Sequence, residues 1–165
     1  MTLTLILTRH AKSSWARPML PDHDRSLNKR GRKSAPAIAE WLRSNGWVPD
    51  EVLCSTAART RETWDRMGLQ ADTVRFLRTL YHAGPEDVLD ALSGATEPTV
   101  LMLGHNPGIA DFANRITRQP ADHPRFYDYP TCATTVIRFE SDDWAQVNWN
   151  SGLVLGFTIP RVLLA

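Results

Sequence analysis

Apolar positions along this chain come in short runs that switch between two spacings. Thr2 to Thr8 (TLTLILT) is apolar and β-branched and predicts a buried strand. Asn28 is a candidate N-cap for a helix reaching about Asn45, with Ala35, Ile38, Ala39 and Leu42 as its buried stripe and Asn45-Gly46 as its stop. Glu51 to Cys54 predicts a short strand, and Ala57 to Met67 a helix ended by Gly68. Thr73 to Leu77 reads as another short strand. Pro85 to Leu92 reads as a helix with proline in its first turn. Thr99 to Gly104 repeats the buried-strand pattern, and Ile109 to Ile116 the helical one. Thr117 to Pro130 is polar and proline-containing and reads as a loop. Ala133 to Phe139 and Ala145 to Leu155 predict a closing strand pair joined through Ser141-Asp142-Asp143.

Strands alternating with helices predict an α/β fold, a mostly parallel central sheet covered on both faces as a three-layer α/β/α sandwich. At 165 residues the chain is expected to form one domain, 1–165. There is no internal repeat and no low-complexity tract. Composition is ordinary for a globular protein, 42% hydrophobic and 22% charged. No apolar run approaches the roughly 20 residues of a membrane helix, and no signal peptide is evident. Two cysteines, Cys54 and Cys132, make no disulfide framework. The expected location is cytoplasmic, with no membrane partner.

The net charge of +1 hides a segregation. Residues 9–33 hold eight cations against Asp22 and Asp24, for +6, and the rest of the chain carries −5. An anionic partner near the first loop and helix is one reading, and a solvated helix face for Lys29 to Lys33 is the other. The block lacks interleaved aromatics and any binding motif, so a nucleic-acid partner is not expected.

Candidate chemistry sits where the predicted strands end. The first strand runs into Arg9-His10, EVLCSTAARTRET carries a strand towards Arg59, and TVLMLGHNPG carries another into His105. In open α/β sheets ligands bind beyond the carboxyl ends of the strands. Arginine offers forked donors that stay charged and fit a phosphoryl group. A neutral imidazole can attack phosphorus and form a phosphohistidine. A second histidine can donate to the phosphoryl oxygens as charge builds, and Ser13 can add a hydroxyl. Each residue also has a plainer role open to it. Arg59 fits a helix-surface cation and His105 a turn residue; only their joint order at strand ends favours a site. His23, His82 and His123 show no metal-ligand spacing. The six tryptophans, Trp15, Trp41 and Trp64 among them, read as packing residues, and Cys132 as a small core hydrophobe.

LILTRHAKSSW, HDRSLNKRG, CSTAARTRET and GHNPG, in that order, resemble the histidine phosphatase superfamily, with a phosphoglycerate mutase-like fold. The short chain and the RHAKS variant resemble its SixA-type phosphohistidine phosphatases. The resemblance runs from Leu3 to about Phe139. It implies that His10 is the nucleophile, that Arg9 and Arg59 bind phosphate, and that His105 is the second histidine of the phosphate pocket. It also places Ser13 at a hydroxyl position near the phosphate and matches Gly31, with Asn28 where many members have threonine. It implies a metal-independent phosphatase with no cofactor.

The departures bear on substrate. Ala11 replaces the glycine of the commoner RHG motif, and Ala16 stands where the mutase branch has asparagine. Asn106 stands where the acid phosphatase branch has its proton-donating aspartate. No glutamate clearly matches the proton donor of the mutase branch; Glu86 is the best-placed candidate by order, and its place at a helix start favours a structural role. Alcohol leaving groups need a proton, whereas phosphoramidates and acyl phosphates depart with little help. The expected substrate is therefore a phosphohistidine protein. The alternatives are a small-molecule phosphomonoester and a non-catalytic phospho-ligand module. A mutase, which needs a lid over its intermediate, is disfavoured because 80–98 holds one short helix. A cysteine phosphatase is also disfavoured, since Cys54 and Arg59 have four residues between them where that motif needs five. The 117–130 loop, with His123, Arg125, Tyr127 and Tyr129, either shapes substrate choice or is plain surface.

Overall fold

The computed structural model describes residues 1–165. Six strands form one sheet: β1 (Leu3–Arg9), β2 (Glu51–Ser55), β3 (Thr73–Leu77), β4 (Thr99–Gly104), β5 (Thr134–Phe139) and β6 (Leu153–Thr158). Their order across the sheet is β3-β2-β4-β1-β5-β6. β1 to β4 run parallel, and β5 is antiparallel to both of its neighbours. β5 is therefore the one reversed strand, and the sheet is mostly parallel as expected.

The period-2 alternation of the strands sorts their side chains onto two cores. Leu3, Leu5 and Leu7 of β1 join Leu53, Val100 and Met102 on one face. There they meet α3 (Pro85–Ser93) through Val88 and Leu92, and α4 (Gly108–Ile116) through Ile109 and Phe112. Ile6, Val52, Cys54, Leu101 and Leu103 point to the other face. They meet Ala35, Ile38, Ala39 and Leu42 of α1 (Lys29–Ser44) and Met67 of α2 (Ala58–Met67). The result is the α/β/α sandwich. Asn28 caps α1 by accepting from the Gly31 amide at 2.9 Å. Gly68, at φ 65°, ends α2 in the left-handed region.

The connection after β1 crosses the α1 face, and that after β4 crosses the α4 face. These adjacent parallel strands thus form the topological switch point, which opens a crevice at their carboxyl ends. Their register pairs Arg9 with Gly104, so His10 and His105 leave the sheet side by side. The His10 amide donates to the Gly104 carbonyl at 3.1 Å.

The structure corrects two expectations and narrows a third reading that the sequence leaves open. The strand placed at Ala145 to Leu155 is instead a 3-10 turn, Trp144–Gln146, with β6 starting only at Leu153. The buried Trp144 indole, donating to the Glu97 carbonyl at 2.6 Å, draws this stretch inward, and Asn150 at φ 59° turns the chain. β6 then runs to Thr158, and a short helix, α5 (Pro160–Leu163), follows it. The second correction concerns Trp15. It is 68% exposed and lies over the Arg25 guanidinium, so it is not a core residue. Third, the 117–130 loop is not plain surface along its length. Phe126 and Tyr129 are fully buried, and the Tyr129 hydroxyl donates to the Leu7 carbonyl at 2.6 Å. Cys132 is buried as expected, although at a φ of 63°.

Gly31 lets α1 lie against the loop that follows β1. A Cβ at Gly31 would sit 2.2 Å from the Lys12 carbonyl oxygen, a backbone atom that cannot step aside. Gly31→Ala is expected to cost roughly 1–3 kcal/mol, read as a lower denaturant midpoint at unchanged slope.

Candidate active site

His10 is the first residue past β1, and its ring is buried. Its Nδ1 lies 2.7 Å from the Ala11 carbonyl, an atom that only accepts. The proton is therefore on Nδ1, and Nε2 carries the free lone pair. The Ala11 amide donates to Thr63 Oγ1, and the Cys132 amide donates to the His10 carbonyl, so the loop is tied down on both sides. Burial pushes the His10 pKa well below its ordinary 6.5, with smaller contributions from His105, Arg9 and Arg59. The imidazole is held neutral, as a nucleophile requires.

His105, one residue past β4, has its ring centroid 5.2 Å from that of His10. Its Nε2 lies 2.8 Å from Ser55 Oγ at the end of β2. That hydroxyl also accepts from the Ala57 amide at 3.3 Å. The only acceptor left for the Ser55 proton is His105 Nε2. This assigns the His105 proton to Nδ1, a buried atom with no partner inside the protein. Burial first, then Arg59, lowers the His105 pKa to about 3.

Arg59 lies in the first turn of α2 and is buried, not a surface cation. Its Nη1 donates to the Asp22 carbonyl at 2.8 Å and its Nη2 to Asp22 Oδ2 at 3.1 Å. Arg9 donates from Nη1 to the Tyr129 carbonyl at 3.2 Å. The Nε atoms of both arginines are buried without partners. Burial first, and Arg59 second, lowers the Arg9 pKa. Three unpaired buried donors, Arg9 Nε, Arg59 Nε and His105 Nδ1, thus belong to one cluster around His10. Native proteins rarely leave such donors unmatched, and a tetrahedral oxyanion would match them together.

Ser13 is joined to this cluster indirectly. Its Oγ accepts from Arg25 Nη1 at 2.8 Å. Arg25 Nε donates to Asp22 Oδ1 at 3.2 Å, and Asp22 continues to Arg59. Arg25, Asp22 and Ser55 were missed in the sequence. Their types are common, and only the fold brings them here. The Tyr81 hydroxyl donates to Asp22 Oδ2 at 2.6 Å, and its ring packs against those of His23, His82 and His105. Hydrogen bonds from Tyr81, and then Arg59, hold the Asp22 carboxyl well below the usual range, so it stays ionised.

The other candidates lie apart. Glu86 is exposed and pairs with Arg115 at 2.7 Å, which lowers its pKa. Asn106 donates to the Asp128 and Tyr129 carbonyls and accepts from the Ala110 amide, so its amide braces the loop beside Arg9. Burial raises the Cys54 thiol to about 12 and its Sγ donates to the Ser55 carbonyl, which is no setting for a thiolate. No three His, Cys, Asp or Glu side chains are grouped to hold a metal ion.

Residues 5–80 match the family model described as histidine phosphatase superfamily, branch 1. An uncharacterized protein of Mycobacterium leprae is 33% identical over 162 residues, 93% of this chain and 99% of the relative. A chloroplastic protein of Arabidopsis thaliana, also uncharacterized, is 36% identical over 90% of this chain and 72% of its own. A solved protein from Nakamurella multipartitia, assigned as phosphohistidine phosphatase SixA, superposes with a TM-score of 0.83 at 29% identity, over 97% of both chains. The chain belongs to the histidine phosphatase superfamily, and within it to the SixA type. A second protein assigned as SixA, from Agrobacterium tumefaciens, gives 0.76 at 27% identity over 96% and 99% of the two chains. A SixA solved with tungstate shares the fold, with a TM-score of 0.79 at 20% identity over 98% and 99%. This member of the superfamily keeps a histidine pair and two arginines at the sheet's switch point, and its family implies phosphorylated substrates.

Two predictions follow from the buried rings. The native state excludes protons from His10 and His105 that the unfolded chain takes up near 6.5. Their contribution to stability is therefore fully present above about pH 6.5 and is lost as pH falls towards the folded values. Denaturant titrations from about pH 7.5 to about pH 5 are expected to show stability falling with pH, less steeply in His105→Gln. In nitrogen-15 spectra, His105 is expected to show the Nδ1–H tautomer. Ser55→Ala is expected to mix in the Nε2–H form.

Proposed function

We propose that this phosphatase acts on phosphohistidine in proteins, through a phosphorylated His10 and without a metal ion. The observation that carries the reading is the neutral, singly oriented His10 beside three unpaired buried donors, while the two carboxyl candidates for a proton donor, Asp22 and Glu86, are an ionised pocket side chain and a surface ion pair. His10 Nε2 attacks phosphorus in line with the departing group, while Arg9, Arg59 and His105 Nδ1–H take the charge on the equatorial oxygens. The phosphorus bond to the substrate ring nitrogen breaks as the new bond to Nε2 forms. A substrate imidazole protonated at its other nitrogen leaves as neutral imidazole and needs no acid. Water then attacks the phosphohistidine, releasing phosphate and restoring His10. The arginines supply the charge that a metal supplies elsewhere.

Asp22 is ionised and Glu86 lies on the surface in an ion pair, so neither offers a proton. An alkoxide leaving group is therefore poorly served, which argues against a small phosphomonoester as the main substrate. Intact His10, Arg9, Arg59 and His105 support turnover over a binding module.

The test is hydrolysis of a phosphohistidine protein beside a panel of phosphate esters, with EDTA present. Protein turnover is expected to persist in EDTA and to fall by roughly three orders of magnitude or more in His10→Ala. His105→Ala is expected to lose about a hundredfold to a thousandfold. A thiol-alkylating reagent is expected to leave the rate unchanged. Turnover of esters alone would move the substrate to small metabolites, and phosphate binding without turnover would favour the module.

A further inference from the structure

The loop after His10 carries exposed residues of an unusual mixture. Trp15 is 68% exposed and Met19 94% exposed, while Lys12 and Arg17 beside them are also exposed. Trp15 is not a stray side chain. The Arg25 guanidinium stacks on its ring at 3.6 Å from the centroid and at the same time holds Ser13 and Asp22. Asp22 in turn holds Arg59. Trp15 is thus two side chains removed from the phosphoryl pocket and forms part of its rim.

The first turn of α1 lies against the same loop. The Asn28 amide donates to the Lys12 carbonyl at 3.0 Å, and Gly31 has no Cβ because Lys12 is there. This contact brings Lys29, Arg30 and Lys33 alongside Lys12, two residues past the nucleophile. Of the cations in residues 9–33, only Arg25 pairs with a carboxylate; Lys12, Arg17, Lys29, Arg30, Arg32 and Lys33 pair with none. Elsewhere seven arginines, at 43, 59, 66, 75, 115, 125 and 138, are matched to acids. The unpaired positive charge of this segment is therefore gathered on the loop after His10 and the first turns of α1.

We propose that this rim is a docking surface for an acidic face of a folded protein, with Trp15 as its apolar anchor and the cations of 12–33 as its charged border. The inference rests on the phosphohistidine-protein reading and adds how such a substrate is held. Tryptophan, methionine and arginine are the types enriched at protein interfaces, and a charged rim speeds encounter with an opposite surface. A small phosphate compound has no further surface to lay against Trp15 or α1. A protein carrying phosphohistidine on its surface must lay its neighbouring surface across both. The mixture fits a protein better than a nucleic acid, since one aromatic provides no stacking platform for successive bases.

The experiment compares kcat/KM for an acidic phosphohistidine protein with that for phosphoramidate, in three enzymes: wild type, Trp15→Ala, and a Lys29→Glu/Lys33→Glu double variant. Both variants are expected to lose about tenfold or more on the protein through KM, while phosphoramidate hydrolysis stays within about twofold. Raising salt is expected to slow wild type on the protein and spare phosphoramidate. The double variant leaves the Trp15–Arg25 stack intact, so it separates docking from any disturbance of Arg25. Equal losses on both substrates, or no loss on the protein, overturn the docking surface while leaving the substrate reading standing. An oligonucleotide that competes more strongly than the acidic protein also overturns it. Wild-type turnover of phosphoramidate with none of any phosphohistidine protein overturns the docking surface and the substrate reading together.

Discussion

The parallel pairing of β1 with β4 sets the distance on which the site depends. Arg9 opposite Gly104 is a backbone register, held by ladder hydrogen bonds and by leucine, isoleucine and valine buried on both faces. A slip of one residue would send every side chain of β1 to the wrong core. The two histidines emerge as neighbours because the ladder sets Arg9 opposite Gly104 and the hydrophobic pattern two to seven residues earlier forbids a one-residue slip. The connections then diverge, α1 over one face and α4 over the other, and the gap between them admits a ligand. Neither histidine needs a flexible loop to find the other.

Burial does the electrochemical work. Two imidazoles beside two arginines in a desolvated pocket favour the uncharged ring, so His10 and His105 are held neutral by the same environment that would bind an anion. Hydrogen bonding to fixed acceptors and donors then sets which nitrogen carries each proton: the Ala11 carbonyl for His10, the Ser55 hydroxyl for His105. Asp22 offsets part of the arginine charge and ties Arg59 through its outer nitrogens, leaving Nε unpaired within the cluster. Positive charge is thus held in place in advance, and on the proposed reading little reorganisation remains when a phosphoryl group arrives.

Much of this was legible along the chain. Short apolar runs ending in Arg9-His10 and Gly104-His105 placed both rings at strand ends, and capping residues marked α1 and α2. The closing pair was half right, because β5 reads cleanly while the apolar residues at 144–149 serve an inward turn, not a strand. Trp144 and Trp15 illustrate why composition misleads here. One tryptophan is fully buried and the other stacks on an arginine at the surface, and nothing in their immediate neighbours distinguishes them.

The sequence by itself determined the α/β layering, the strand-end positions of Arg9, His10 and His105, and the excess of cations around the first loop, because each is carried by local spacing or composition. Only the tertiary structure decided that Asp22 and Arg25 reach Arg59 and Ser13, that Ser55 orients His105, and that Glu86 is turned away to Arg115. Those partners lie up to 50 residues apart, as Ser55 and His105 do. A hydrogen bond depends on position and direction in space, and these arise only when the crossovers have packed each helix onto its face of the sheet.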